Sequence, residues 1–265
     1  MLKKGRNHHF IKRQLLLSTL IFSSSPGFSA QSAPHAHALP SSWFEALKSS
    51  GVATLSVGPV WESAGKTQTF YLAPNIEKTY SANTSSHALV DGELFLGIQK
   101  SLREKLDGQI GLAVATTGNA LLSGHVWDDA DSQFNNYQYN YKIIHTHVAV
   151  KGKLLSDRGY PVTPWITGSL GVGFNQAHSF SNTPTISEAA VMPNFASNTT
   201  TAVTYTVGAG FQRDLNQHWQ AGIGYEFADW GKSQLNRASG QTMHTGLSLN
   251  HLHTNGFLLN LTYLA

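Results

Sequence analysis

The chain has 265 residues, 41% hydrophobic, 11% aromatic and only 12% charged, with 24 Gly, 9 Pro and no Cys. Soluble domains carry about 25% charged residues, disordered chains are charge-rich and aromatic-poor, and disulfide frameworks and thiolate metal sites need cysteine. A disordered chain, a disulfide scaffold and a thiolate centre are therefore excluded, and beyond the N-terminus no stretch approaches the roughly 20 apolar residues of a membrane-spanning helix.

The first 30 residues read as a secretory signal peptide. Lys3, Lys4, Arg6, Lys12 and Arg13 form a basic start with no acid, Leu15 to Phe22 an apolar core, and Ser23 to Ala30 a small, turn-prone end. Cleavage is expected at 29 or 30. The apolar core is too short to serve as a spanning anchor. Removing this segment takes away five basic residues and no acid, so the net charge of +3 becomes 13 basic against 15 acidic residues, or −2. The mature chain has no basic stripe interleaved with aromatics, so nucleic acid is not an expected partner. Residues 31–50 read as a periplasmic linker, with one helical turn at Trp43–Lys48.

From residue 51 to 265 the pattern has period two, and alternate residues of a strand face opposite sides. Eight such segments are predicted: 51–61, 86–100, 108–118, 137–154, 163–176, 201–213, 218–229 and 252–265. In each, one face is aliphatic or aromatic, as in Leu55 and Val57, Ile110 and Leu112, or Leu259 and Leu261. The opposite face is rich in Gly, Ala, Ser and Thr, as in Thr54, Ser56, Thr204, Thr206 and Gly208. A wet outer face would carry charge. Small uncharged residues suit the crowded interior of a narrow closed barrel, which turns the apolar face toward lipid. The connections alternate between short (101–107, 155–162 and 214–217) and long (62–85, 119–136, 177–200 and 230–251). The expected fold is an all-β, transmembrane, up-and-down antiparallel barrel of eight strands, with short periplasmic turns and long extracellular loops. Asn255-Gly256 favours a tight hairpin that would split the last segment and give nine short strands. One continuous last strand is the preferred reading.

The run VGAGFQRDLNQHWQAGIGYEFADWG (207–231) joins a Gly-x-Gly strand, a tight turn, an aromatic, a Gly-x-Gly-Tyr strand and an Asp-Trp-Gly loop opening. It resembles the small eight-stranded outer-membrane proteins of the OmpA-like and opacity-like surface-antigen families. The C-terminal FLLNLTYLA is similar to their targeting strand, but ends on Ala265 with Tyr263 two positions earlier. The resemblance implies the cell outer membrane as location, its lipid and lipopolysaccharide as surroundings, and the barrel-assembly machinery as a partner through the last strand. It further implies a host or envelope partner through the loops.

Charged and imidazole groups at interior parity are Asp91, Glu93, His145, His147, Lys151, Lys153 and Glu226. Acids and bases inside a narrow barrel must pair, so an interior polar network is expected to fill the lumen. His145-x-His147 and His251-x-His253 each set two imidazoles on one strand face, a spacing that suits a metal. No third ligand is evident, so no metal and no cofactor is expected. His178-Ser179-Phe180-Ser181-Asn182 is faintly similar to the His-x-Ser-Asn motif of outer-membrane lipid A deacylases. Strand alternation sets His178 opposite both Ser179 and Ser181, and no orienting acid lies nearby. Gly168–Gly173 is followed by no Lys and no helix, so it is not a phosphate loop. The leading functional reading is a non-enzymatic surface barrel giving envelope support or loop-mediated adhesion. The alternatives are a small-solute pore or binding barrel and an outer-membrane lipid-modifying enzyme.

Overall fold

The computed structural model describes residues 49–63, 65–84 and 87–265. The signal peptide and all but the last two residues of the linker lie outside these. Eight long strands carry the fold: β1 (Ser50–Glu62), β2 (Ala88–Arg103), β3 (Leu106–Thr117), β4 (Asn135–Ser156), β5 (Thr163–Pro184), β6 (Asn198–Asp214), β7 (Trp219–Asp229) and β8 (His253–Leu264). Each pairs antiparallel with its sequence neighbour along the ladder. β8 then pairs with β1, from Val52↔Leu264 to Glu62↔Thr254. The ring of hydrogen bonds is closed, and no strand of it has a free edge, the condition for placing a sheet in hydrocarbon. β8 runs unbroken through Asn255-Gly256, because both residues are held in register against β1 and β7.

The two faces separate as expected. Leu55, Leu96, Leu112, Ile166, Val207 and Leu259 point outward and are 51 to 60% exposed. Their strand neighbours Thr54, Ser56, Thr204, Thr206 and Thr262 point inward and are buried. Small residues do not fill the interior alone, because Phe95 and Leu258 also line the lumen. Trp165, near the start of β5, is buried there with them. Glycines facing it make the room: a Cβ on Gly224 would lie 2.2 Å from the indole, and one on Gly210 2.5 Å.

At one end of the barrel sit the short turns and both ends of the described chain, where the Ala265 N–H donates to the Gly51 carbonyl over 2.9 Å. Local side chains close these turns. Asp157 Oδ1 accepts from the Gly159 N–H at 2.8 Å, and Gly159 takes a positive φ of 77°. Asn216 Oδ1 accepts from the N–H groups of His218 and Trp219, each at 2.9 Å.

The opposite end is more ordered than a set of polar loops. β4 outgrows β3, and its outer half pairs instead with a strand at Ala120–Asp128. That strand pairs with Ile76–Ala82, which pairs with Gln68–Ala73. Together with the outer half of β5 they form a sheet beyond the barrel. Its alternating aromatics build a core of their own: Phe70 stacks on Tyr80 at 5.3 Å, Tyr139 on Phe180 at 6.0 Å, and Phe195 meets Phe180 edge-on at 4.7 Å. Burial pushes the phenols of Tyr80 and Tyr139 above the usual tyrosine range. The turn at Pro74-Asn75 fits its chemistry, since Asn75 takes a positive φ of 63°, a conformation Asn tolerates.

Candidate functional site

The lumen is filled by side chains from strands far apart in sequence. Lys151 of β4 reaches across it. Its Nζ donates to Glu93 of β2 at 2.6 and 2.9 Å and to Glu226 of β7 at 3.0 Å. All three side chains are at most 10% exposed. A buried ammonium held by two carboxylates recovers part of its desolvation cost through short charge-assisted bonds. Asp91 lies on the same face of β2, and its Oδ1 has no hydrogen-bond partner. Lys153 bonds not to a carboxylate but to Gln212 Oε1, at 2.6 Å, with its Nζ 4.7 Å from the Trp165 ring. Gln212 passes the chain to Gln220 and Gln220 to Asp214. Around Lys151 the lumen leaves a free volume of about 30 Å³, lined among others by Thr54, Glu93, Trp165 and Glu226. That is room for one or two waters.

His145 and His147 sit nearer the loop end, fully buried. His145 Nε2 is 3.2 Å from His147 Nδ1, and its Nδ1 is 2.6 Å from Asn175 Oδ1. Both rings lie against Trp230, with centroids 4.0 and 4.9 Å away. The Asp-Trp-Gly opening of the fourth long loop thus has a physical use. Trp230 turns into the barrel mouth, where its Nε1 donates to Thr254 Oγ1 at 2.9 Å. Asn175 Nδ2 holds the backbone beside it, donating to the carbonyls of Trp230 and Lys232. Gly231 takes a positive φ of 70°, and a Cβ there would stand 2.7 Å from the Val203 carbonyl oxygen.

Two sequence expectations need correction. Ser179 does not face away from His178: it adopts a positive φ of 54°, which rotates its hydroxyl to 2.8 Å from His178 Nδ1. His178 Nε2 is in turn 3.1 Å from Asn119 Oδ1, so an amide rather than an acid orients the ring. Strand alternation presumes extended backbone, and a single left-handed residue removes that premise. The pair His251 and His253 also has a third neighbour, Asp229, which sequence spacing concealed.

Between the outer sheet and the loops lies a cavity of about 280 Å³, lined by Leu72, Tyr80, Tyr137, Met192, Phe195 and Gln241 among others.

No family model matches the chain, and no curated protein does. Among solved structures it is similar to Neisserial surface protein A, at 11% identity and a TM-score of 0.40, over 80% of this chain and 96% of that one. It is likewise similar to the outer membrane protease OmpT of Escherichia coli, at 8% identity and 0.43, over 82% and 97%. A third is the outer membrane protein OprG of Pseudomonas aeruginosa, at 10% and 0.40, over 82% and 97%. What decides the class is the chain's own closed ring of hydrogen bonds inside an aliphatic belt. The protein is a transmembrane β-barrel of the outer-membrane type.

Proposed function

We propose that this barrel is a non-conducting, non-enzymatic surface protein of the outer membrane, whose folded outer lobe makes contacts outside the cell. The filled lumen carries this reading. Lys151 with its two carboxylates crosses the middle, Trp230 stops the mouth, and the free space around Lys151 holds one or two waters. A lumen built that way supports the wall and does not pass solutes. The outer sheet with its aromatic core then serves as the recognition element, its lipid and lipopolysaccharide surroundings set by the belt below it. The last strand serves as the handle for the barrel-assembly machinery.

Liposome swelling tests the claim. Vesicles carrying the refolded protein are expected to swell in small sugars no faster than empty ones, and swelling at porin-like rates would favour the pore. A fluorophosphonate probe tests the enzymatic alternative, because the Ser179–His178–Asn119 chain has the order of a nucleophile, a base and an orienting group. Ser179 is expected to stay unlabelled. Labelling lost in His178→Ala would move the protein to the lipid-modifying class.

A further inference from the structure

Asp229 closes β7 and His253 opens β8, and the two are direct cross-strand partners. His251 stands two residues earlier. Both imidazoles converge on one oxygen, Oδ2 of Asp229, with His251 Nδ1 at 2.8 Å and His253 Nε2 at 3.4 Å. The three ligand atoms all lie within 4.8 Å of one another, and the rings stack with centroids 5.6 Å apart. The other carboxylate oxygen, Oδ1, is occupied by the Gly231 N–H at 2.8 Å. The carboxylate is thereby fixed in orientation and offers its free oxygen to the imidazoles. The Asp229 side chain is only 6% exposed, whereas His251 and His253 are 61% and 40% exposed. The arrangement is a buried anchor with two rings open to the outside.

We propose that Asp229, His251 and His253 bind a divalent cation of the zinc class. Two imidazole nitrogens and one carboxylate oxygen form a donor set that Zn²⁺ accepts in three-ligand sites, leaving a position open. Mg²⁺ and Ca²⁺ call for oxygen ligands throughout. Metal-to-ligand bonds of about 2.0–2.1 Å in a tetrahedron place the ligand atoms roughly 3.4 Å apart, the spacing already present between His253 and Asp229. The exposed His251 ring needs only a small rotation to open its shorter contact. The Gly231 bond to Oδ1 supplies the outer-shell support that metal-bound carboxylates use. Asp229 precedes the fourth long loop and the two histidines follow its main course, so a bound cation clips the loop at its base. Closing a loop in this way removes conformational freedom from it.

The test uses the full mature barrel refolded in detergent micelles, titrated calorimetrically with ZnCl₂ and, separately, with MgCl₂. One Zn²⁺ per chain is expected to bind saturably, with no heat from Mg²⁺. The double variant His251→Ala, His253→Ala is expected to lose at least about tenfold in affinity while still migrating on a gel as a folded barrel. If it does not fold, His251→Ala alone, whose ring is the more exposed, takes its place. Trypsin gives a second readout, since the loop carries exposed Lys232 and Arg237. Zn²⁺ should slow cleavage there in the wild type and not in the variant. The absence of saturable zinc binding, equal affinity in the variant, or cleavage indifferent to zinc would each overturn the proposal.

Discussion

Replacing Lys151 by Met is expected to destabilise the barrel by about 3–5 kcal/mol, the range for removing one partner of a buried ion pair. The ammonium is the only cation within bonding distance of Glu93 and Glu226 among the described residues. Without it two carboxylates face each other in a space that admits one or two waters, with Asp91 on the same strand face as Glu93. The cost is uncompensated desolvation and like-charge repulsion together. Glu93→Ala should also destabilise, but less, because Glu226 keeps hold of the ammonium. Combining Lys151→Met with Glu93→Gln and Glu226→Gln should recover much of the loss, since no buried charge is then stranded. Urea unfolding in lipid vesicles, with heat-shifted migration on a gel as the check of folding, measures all four proteins. A Lys151→Met barrel as stable as the wild type would mean that the network does not hold the wall.

The second large effect is on the other face. Leu112→Arg, in the middle of β3 and 58% exposed, is expected to cost about 2–4 kcal/mol in a bilayer, the penalty for arginine at mid-membrane on a lipid-facing strand. Leu215→Arg, in the turn between β6 and β7 and 60% exposed, should cost near zero, because the penalty fades toward the interface. The two leucines are equally exposed, so a protein surrounded by water would treat them alike, within about 0.5 kcal/mol. Unfolding in vesicles compares the two variants directly.

The barrel was legible in the sequence because its signal repeats. A closed wall imposes two-residue alternation on every strand, and eight copies of it separate the two faces. Segments that alternate only briefly were lost. Phe70 and Leu72 fall in the connection 62–85, and the alternating Tyr137, Tyr139 and Tyr141 of the segment 137–154 have no visible partner until β4 is seen to outgrow β3. Trp165 has inward parity beside Ile166, but its own strand does not reveal the space for so large a ring. Only the register that sets Gly210 and Gly224 around it shows the room inside. The residue types of the lumen network could be named from parity, but not the bonds. Nothing in the order of residues says that Lys151 takes two carboxylates while Lys153 takes Gln212. Asp229 stayed hidden beside His251 because their closeness is made by β7 and β8 pairing across a long loop, and Ser179 because one left-handed residue defeats alternation.

The direction of the aliphatic rows is tested most directly by spin labels placed singly at Leu55, Leu112, Ile166 and Leu259, with Leu215 in the turn as a reference, in the barrel reconstituted into vesicles. The four wall positions should collide freely with dissolved oxygen and rarely with a water-soluble nickel complex, while Leu215 should do the reverse. Wall labels as open to the nickel complex as Leu215 would show that these rows meet water and that the barrel does not span the bilayer.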